Sequence, residues 1–147
     1  MTLYREQIMA AVAGTLAGTV QVGSRIWRSR VEALSRAEAP AIIVSPGVNR
    51  TNEPDRTGQL SMCKLDHHLM IAVAVYVRGS IPDQLAAPIE EDVHKKLMAD
   101  RSLGGLTMDL IYLRTTPEME MADENSGFMV CEYMATYRTA VEDLGMP

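Results

Sequence analysis

The chain has little that points to covalent chemistry. Its 147 residues include two cysteines, Cys63 and Cys131, too few for a disulfide framework. A pair of free thiols suits a reducing compartment or assembly inside a cell. Aromatic residues make up only 5%, with one Trp and one Phe. The longest apolar run is Leu69–Val77, far short of the ~20 residues that a membrane span requires. Cations are also in deficit: 14 Lys and Arg face 19 Asp and Glu, giving a net charge of -5 and a pI near 5.2. That balance argues against a basic nucleic-acid reader, whose phosphate contacts need a cationic excess.

Chemical motifs are equally scarce. There is no G-x-x-x-x-G-K or G-x-G-x-x-G phosphate cradle and no G-x-S-x-G nucleophile elbow. Gly104-Gly105 leads into a strand, so it cannot aim a helix N-terminus at an anion. Cys63-x-x-x-His67 resembles half a zinc site without a second half. His67 and His68 point to opposite faces of a strand and cannot share a ligand. Cys131 falls in an apolar strand, where a thiol is inert. The reading is therefore of no catalytic residue, no metal and no cofactor.

What is present is an ordinary globular composition, 47% hydrophobic and 22% charged, with 11 Met as flexible filler. The length suits a single domain over residues 1–147. Ile8, Val12 and Leu16 recur at helical spacing, predicting a helix over 3–17 capped by Thr2. Glu6 and Gly14 spoil any likeness to a signal peptide there, so the segment reads as part of the mature protein. Residues 25–30 alternate like a strand, Val31–Leu34 suggest a helical turn, and Ala41–Val44 form a short strand stopped by Ser45-Pro46-Gly47. Residues 47–58 read as a mobile polar loop.

Leu60–Leu65 is expected to lead into a central strand over Leu69–Val77. Both faces of that strand are apolar, which predicts cover on both sides. Small Ala72 and Ala74 would let a helix approach closely. A second helix carries Leu85, Ile89, Val93 and Leu97 at intervals of four, with Pro82 at its start and Pro88 awkwardly inside. Leu106–Leu113 is a strand, residues 116–127 an acidic turn, and Phe128–Arg138 the last strand. The order predicts an α+β fold: a small mixed, largely antiparallel sheet with two main helices packed on it.

Two charge clusters stand out. Arg25, Arg28 and Arg30 surround Trp27, with Arg36 nearby, and Glu118, Glu120, Asp123 and Glu124 form an acidic group. Solvated surface explains most such runs. Complementary patches that meet across a subunit contact explain them more sharply, since Trp and Arg are enriched at interface hot spots.

Several segments taken together carry a resemblance. They are the N-terminal helix, Arg25-Ile26-Trp27-Arg28-Ser29-Arg30, Ala37–Val44 running into Pro46-Gly47, and Val75-Tyr76-Val77-Arg78-Gly79. Val93–Asp100, Ser102-Leu103-Gly104-Gly105-Leu106 and the terminal strand Tyr133–Thr139 complete the series. In this order and spacing the chain resembles the tail terminator proteins of long-tailed bacteriophages, of the lambda minor tail protein U type. Pro88 departs from that pattern.

The resemblance implies a homo-oligomer, a hexameric ring on the head-proximal end of the tail tube. It would stop tube polymerisation and present the docking surface for the neck of the filled head. Its partners would be the tail tube protein and a neck or head-completion protein, and DNA would pass through the lumen without sequence-specific binding. Assembly would occur in the host cytoplasm and the mature location would be the virion. Competing readings are another head-tail joining protein such as a head-closure component, a small-molecule-binding α+β domain, and a small hydrolase using Cys131 or His67.

Overall fold

The computed structural model describes residues 3–19, 21–30, 38–52, 64–120, 126–140 and 143–145. Their elements run α1 (Tyr4–Leu16), β1 (Ile26–Arg28), β2 (Ala41–Asn52), β3 (Lys64–Arg78), α2 (Pro82–Ala99), β4 (Asp109–Glu120) and β5 (Ser126–Ala140). The five strands form one sheet in the order β1-β2-β3-β5-β4. Only β1 pairs in parallel, with β2; every other pair is antiparallel. This is the α+β fold that the alternation of elements predicts.

One face of the sheet holds the core. Ile42 and Val44 of β2 lie beside Val75 and Val73 of β3, which in turn lie beside Met129 and Cys131 of β5. The buried stripe of α1, Tyr4, Ile8, Met9, Val12 and Leu16, packs on this face, as do Ala86, Ile89, Val93 and Leu97 of α2. Removing these side chains from water drives the two helices onto the strands, at about 25 cal/mol per Å² of apolar surface.

Two expectations about this packing change. Leu85 is not part of the buried stripe; it is 47% exposed, and Ala86 takes its place. A spacing of four overshoots the 3.6-residue turn, so a row of four drifts around the helix and its first member leaves the contact. Cover on both sides of β3 is also not what the described elements give. The opposite face, with Ala72, Ala74, Ile43 and Met134, carries no helix among the described residues and is half-buried. On that face Arg138 pairs with Asp66 and Arg114 with Glu132.

The strands also run through both predicted turns. β2 continues past Ser45-Pro46-Gly47 to Asn52, and its register slips between Pro46 and Asn49. That bulge is where a residue without an N–H can be held in a sheet. Residues 47–52 are therefore strand, not loop. β4 likewise extends through Pro117 to Glu120. It is an edge strand, so the missing N–H of Pro117 can face outward at no cost to the ladder. The earlier end of this strand is later than expected, at Asp109.

The helix ends depart in small ways. The α1 N-cap is Leu3, with no side-chain cap bond. Pro82 sits in the first turn of α2, and Pro88 is accommodated within the helix. After α2, Asp100 accepts hydrogen bonds from the Ser102 and Gly104 backbone N–H groups (3.1 and 2.9 Å) and folds the chain toward β4. The Ser102 hydroxyl, which also donates to Asp100 (2.6 Å), and then these backbone bonds hold its carboxyl below the usual carboxylate range. Gly104 and Gly105 have φ of +74° and +91° there, values that only glycine adopts readily. Thr2, the Val31–Leu34 turn, Arg36 and Leu60–Cys63 lie outside the described residues.

Candidate functional site

The basic cluster belongs to the β1 edge of the sheet. Parallel pairing places Ile26 and Arg28 beside Ile42 and Val44 on the helix-bearing face, and Trp27 beside Ile43 on the other. Arg25, Arg28 and Arg30 are each already engaged within the chain. Arg28 forms a two-pronged ion pair with Glu6 of α1, which raises the guanidinium pKa and lowers that of the carboxyl. Arg30 pairs with Glu38 and stands over the Trp27 ring, 4.5 Å from its centroid. Arg25 donates from Nε to the Pro40 carbonyl (2.8 Å) and from Nη2 to the Gln21 carbonyl (3.2 Å). The cluster is thus a braced surface built on three residues of strand. A loop of free charges is not what the fold makes of it.

The acidic cluster is divided. Glu118 is exposed on β4, opposite Phe128 of β5, and Glu120 closes the same strand. Asp123 and Glu124 lie outside the described residues. The sheet therefore separates the two clusters by its whole width, Trp27 and its arginines at one edge and Glu118 at the other. It does not bring them together within one chain. Their register also places Trp27 and Glu118 on the same, helix-free face.

The residues weighed for chemistry are disposed as follows. His67 is buried. Its Nε2 meets Thr139 Oγ1 at 2.7 Å, and its Nδ1 meets Asn49 Nδ2 at 3.2 Å. Burial lowers the His67 pKa, Asp66 opposes this, and His68 adds to it. A ring held on both sides by structural partners has no free nitrogen for a substrate.

Cys131 is buried, with its thiol 3.8 Å from Glu90 Oε1 and 3.7 Å from Thr115 Oγ1. Burial pushes its pKa up to about 11, which keeps it protonated and unreactive. Cys63 lies outside the described residues. Among the described residues no three His, Cys, Asp or Glu side chains converge on a point that could hold a metal. No described helix is long and apolar enough to cross a membrane.

Sequence reasoning missed one feature. Beside α2, the β4 and β5 side chains form an open cavity of about 520 Å³ around Glu90, His94, Tyr112 and Tyr133. The i, i+4 spacing of Glu90 and His94 puts both on one side of α2. The tyrosines come from strands whose pairing only the fold reveals.

No protein-family model matches the chain, and no curated protein does. Its fold is similar to a solved chain from the virion of a native gene transfer agent (GTA) particle. That likeness has a TM-score of 0.50 and spans 89% of this chain and 94% of the other, at 14% sequence identity. At such identity the likeness is one of fold.

Proposed function

We propose that this chain is a structural virion protein of a phage-like particle, a tail terminator that closes the head-proximal end of the tail tube. The observation that carries the reading is the fold likeness to a virion chain over nearly the full length of both proteins. It agrees with the segment-by-segment resemblance to phage tail terminators. In this role the chain acts as a ring, six copies by that resemblance. It stops tube polymerisation and offers the surface on which the neck docks.

The sheet suits such a ring. Head-to-tail closure needs two different patches on one subunit, placed so that each meets the other on the next copy. The β1 edge with Arg25, Trp27, Arg28 and Arg30 and the β4 edge with Glu118 and Glu120 are such a pair. Because the arginines already have partners, the proposed contact rests on the Trp27 surface and on the net field of the cluster. A tail tube protein and a neck protein are the partners above and below the ring. DNA passes the lumen without being read, in keeping with the net charge of -5. No step of the role requires catalysis, and the inert Cys131 and the engaged His67 give none.

Electron microscopy of a lysate from the source particle, with this gene disrupted, tests the role. Full heads beside tubes of excessive length are expected. Tubes of normal length that fail to join heads would move the chain to the neck, as a head-closure protein. Intact infectious particles would overturn the virion reading.

A further inference from the structure

The cavity beside α2 is chemically distinctive. Its floor is the Glu90 carboxylate, whose one described hydrogen-bond partner is the Cys131 thiol. Three rings wall it. Tyr112 and Tyr133 meet edge to face at 5.5 Å, His94 meets Tyr112 edge to face at 5.3 Å, and His94 is 6.0 Å from Tyr133. His94 Nδ1 and the Tyr133 hydroxyl are 3.1 Å apart, and Tyr112 bonds Thr115, so the rings are held in place. Among the described residues no lysine or arginine lines the cavity; Lys95, the nearest in sequence, is paired with Glu91, a second lining carboxylate, at 2.8 Å.

A carboxylate among ring faces, with no cation of its own, is complementary to a cation on an apolar arm. Partial burial raises the Glu90 pKa, and the Cys131 thiol opposes this only in part. Guanidinium fits better than ammonium, because its plane can stack on a tyrosine while its N–H groups bond the carboxylate.

The cavity opens along β4, which pairs only with β5 among the described residues. Tyr112, which lines the cavity, is 44% exposed on that strand, and Leu113 at the bulge beside it is 40% exposed. An extended segment laid along such an edge sends alternate side chains toward one face of the sheet. We infer that the cavity walled by Tyr112, Tyr133 and His94 over Glu90 receives an arginine side chain from an extended segment of a neighbouring protein. This holds whether or not the chain terminates a tail tube.

Titration of the full chain with acetyl-Val-Arg-Val-amide tests the inference, read from the NMR signals of the Met129 methyl group and the His94 ring. Saturable shifts are expected. Glu90→Gln should weaken binding about tenfold, while Glu118→Gln, on the helix-free face and outside the cavity, leaves it unchanged. Tyr112→Ala, at an exposed position, should weaken it as well and serves if Glu90→Gln does not fold. The citrulline counterpart, equal in shape and uncharged, should not bind. Equal binding of the citrulline peptide, or unchanged binding in the Glu90 and Tyr112 variants, would overturn the inference. Agmatine, which carries the guanidinium without a peptide backbone, binding as tightly as the peptide would also overturn it, since the extended segment would then contribute nothing.

Discussion

The His67 imidazole lies flat on the Tyr137 ring, their centroids 4.5 Å apart and their planes 4° from parallel. Tyr137 in turn stacks on Tyr4 of α1 at 5.4 Å. The three rings tie the first helix to the middle of the sheet, and Asn49 bonds both His67 and Tyr137 from the far side of the β2 bulge.

This buried imidazole makes stability depend on pH with a definite sign. The folded-state pKa of His67 is below its ordinary value of 6.5, so the unfolded chain binds the proton more readily. Stability is therefore complete above 6.5 and declines as pH falls toward the folded value. His67→Phe keeps the stacking but leaves Thr139 and Asn49 without this partner, at a cost of about 1–3 kcal/mol at neutral pH. Urea unfolding between pH 7.5 and 5.5 should show a shallower pH slope in the variant than in the wild type. Equal slopes would mean that His67 does not titrate in this window.

Gly47, inside β2, and Gly79, just past β3, should respond differently to alanine. A Cβ at Gly47 would stand 2.9 Å from Met70 Cβ and 3.4 Å from the Met70 carbonyl oxygen, where backbone leaves little room. Gly47→Ala should cost about 1–3 kcal/mol. A Cβ at Gly79 would meet the tip of Leu85 at 2.2 Å, but that side chain is half in solvent and can swing away. Gly79→Ala should change stability by no more than about 0.5 kcal/mol. Thermal unfolding of both variants gives the comparison.

Pro88 interrupts α2 at an exposed position. It has no N–H to offer the Gln84 carbonyl, four residues back. Pro88→Ala restores that bond and should stabilise the protein by about 1–3 kcal/mol. A loss of stability in chemical denaturation would show instead that the proline geometry is needed to seat α2 on the sheet.

Edge residues should affect assembly more than folding. Glu118→Lys, at an exposed position of β4, should leave monomer stability within about 0.5 kcal/mol. Under the ring proposal it should weaken self-association, as should Trp27→Ala, when sedimentation is followed over a concentration series. Assembly that is indifferent to both substitutions would remove these edges from the subunit contact.

Much of the fold was legible because hydrophobic period is a local property. Ile8, Val12 and Leu16 announced α1, and the run from Phe128 to Arg138 announced β5. Pro46 and Pro117 misled because proline is a strand breaker only where its N–H is wanted; a bulge and an outer edge tolerate it. Leu85 misled because a spacing of four only approximates a helical turn. The charged clusters were visible as letters, but their internal partners were not. Glu6 lies 22 residues from Arg28, and nothing local links them.

The sequence by itself determined the two helices, the apolar centres of the main strands, the α+β class, and the acidic charge balance, since each follows from neighbours along the chain. Only the tertiary structure decided that Trp27 and Glu118 occupy opposite edges, and that Glu90 shares one cavity with Tyr112, Tyr133 and His94. Those relationships depend on strand order and register, which are settled by long-range burial and pairing.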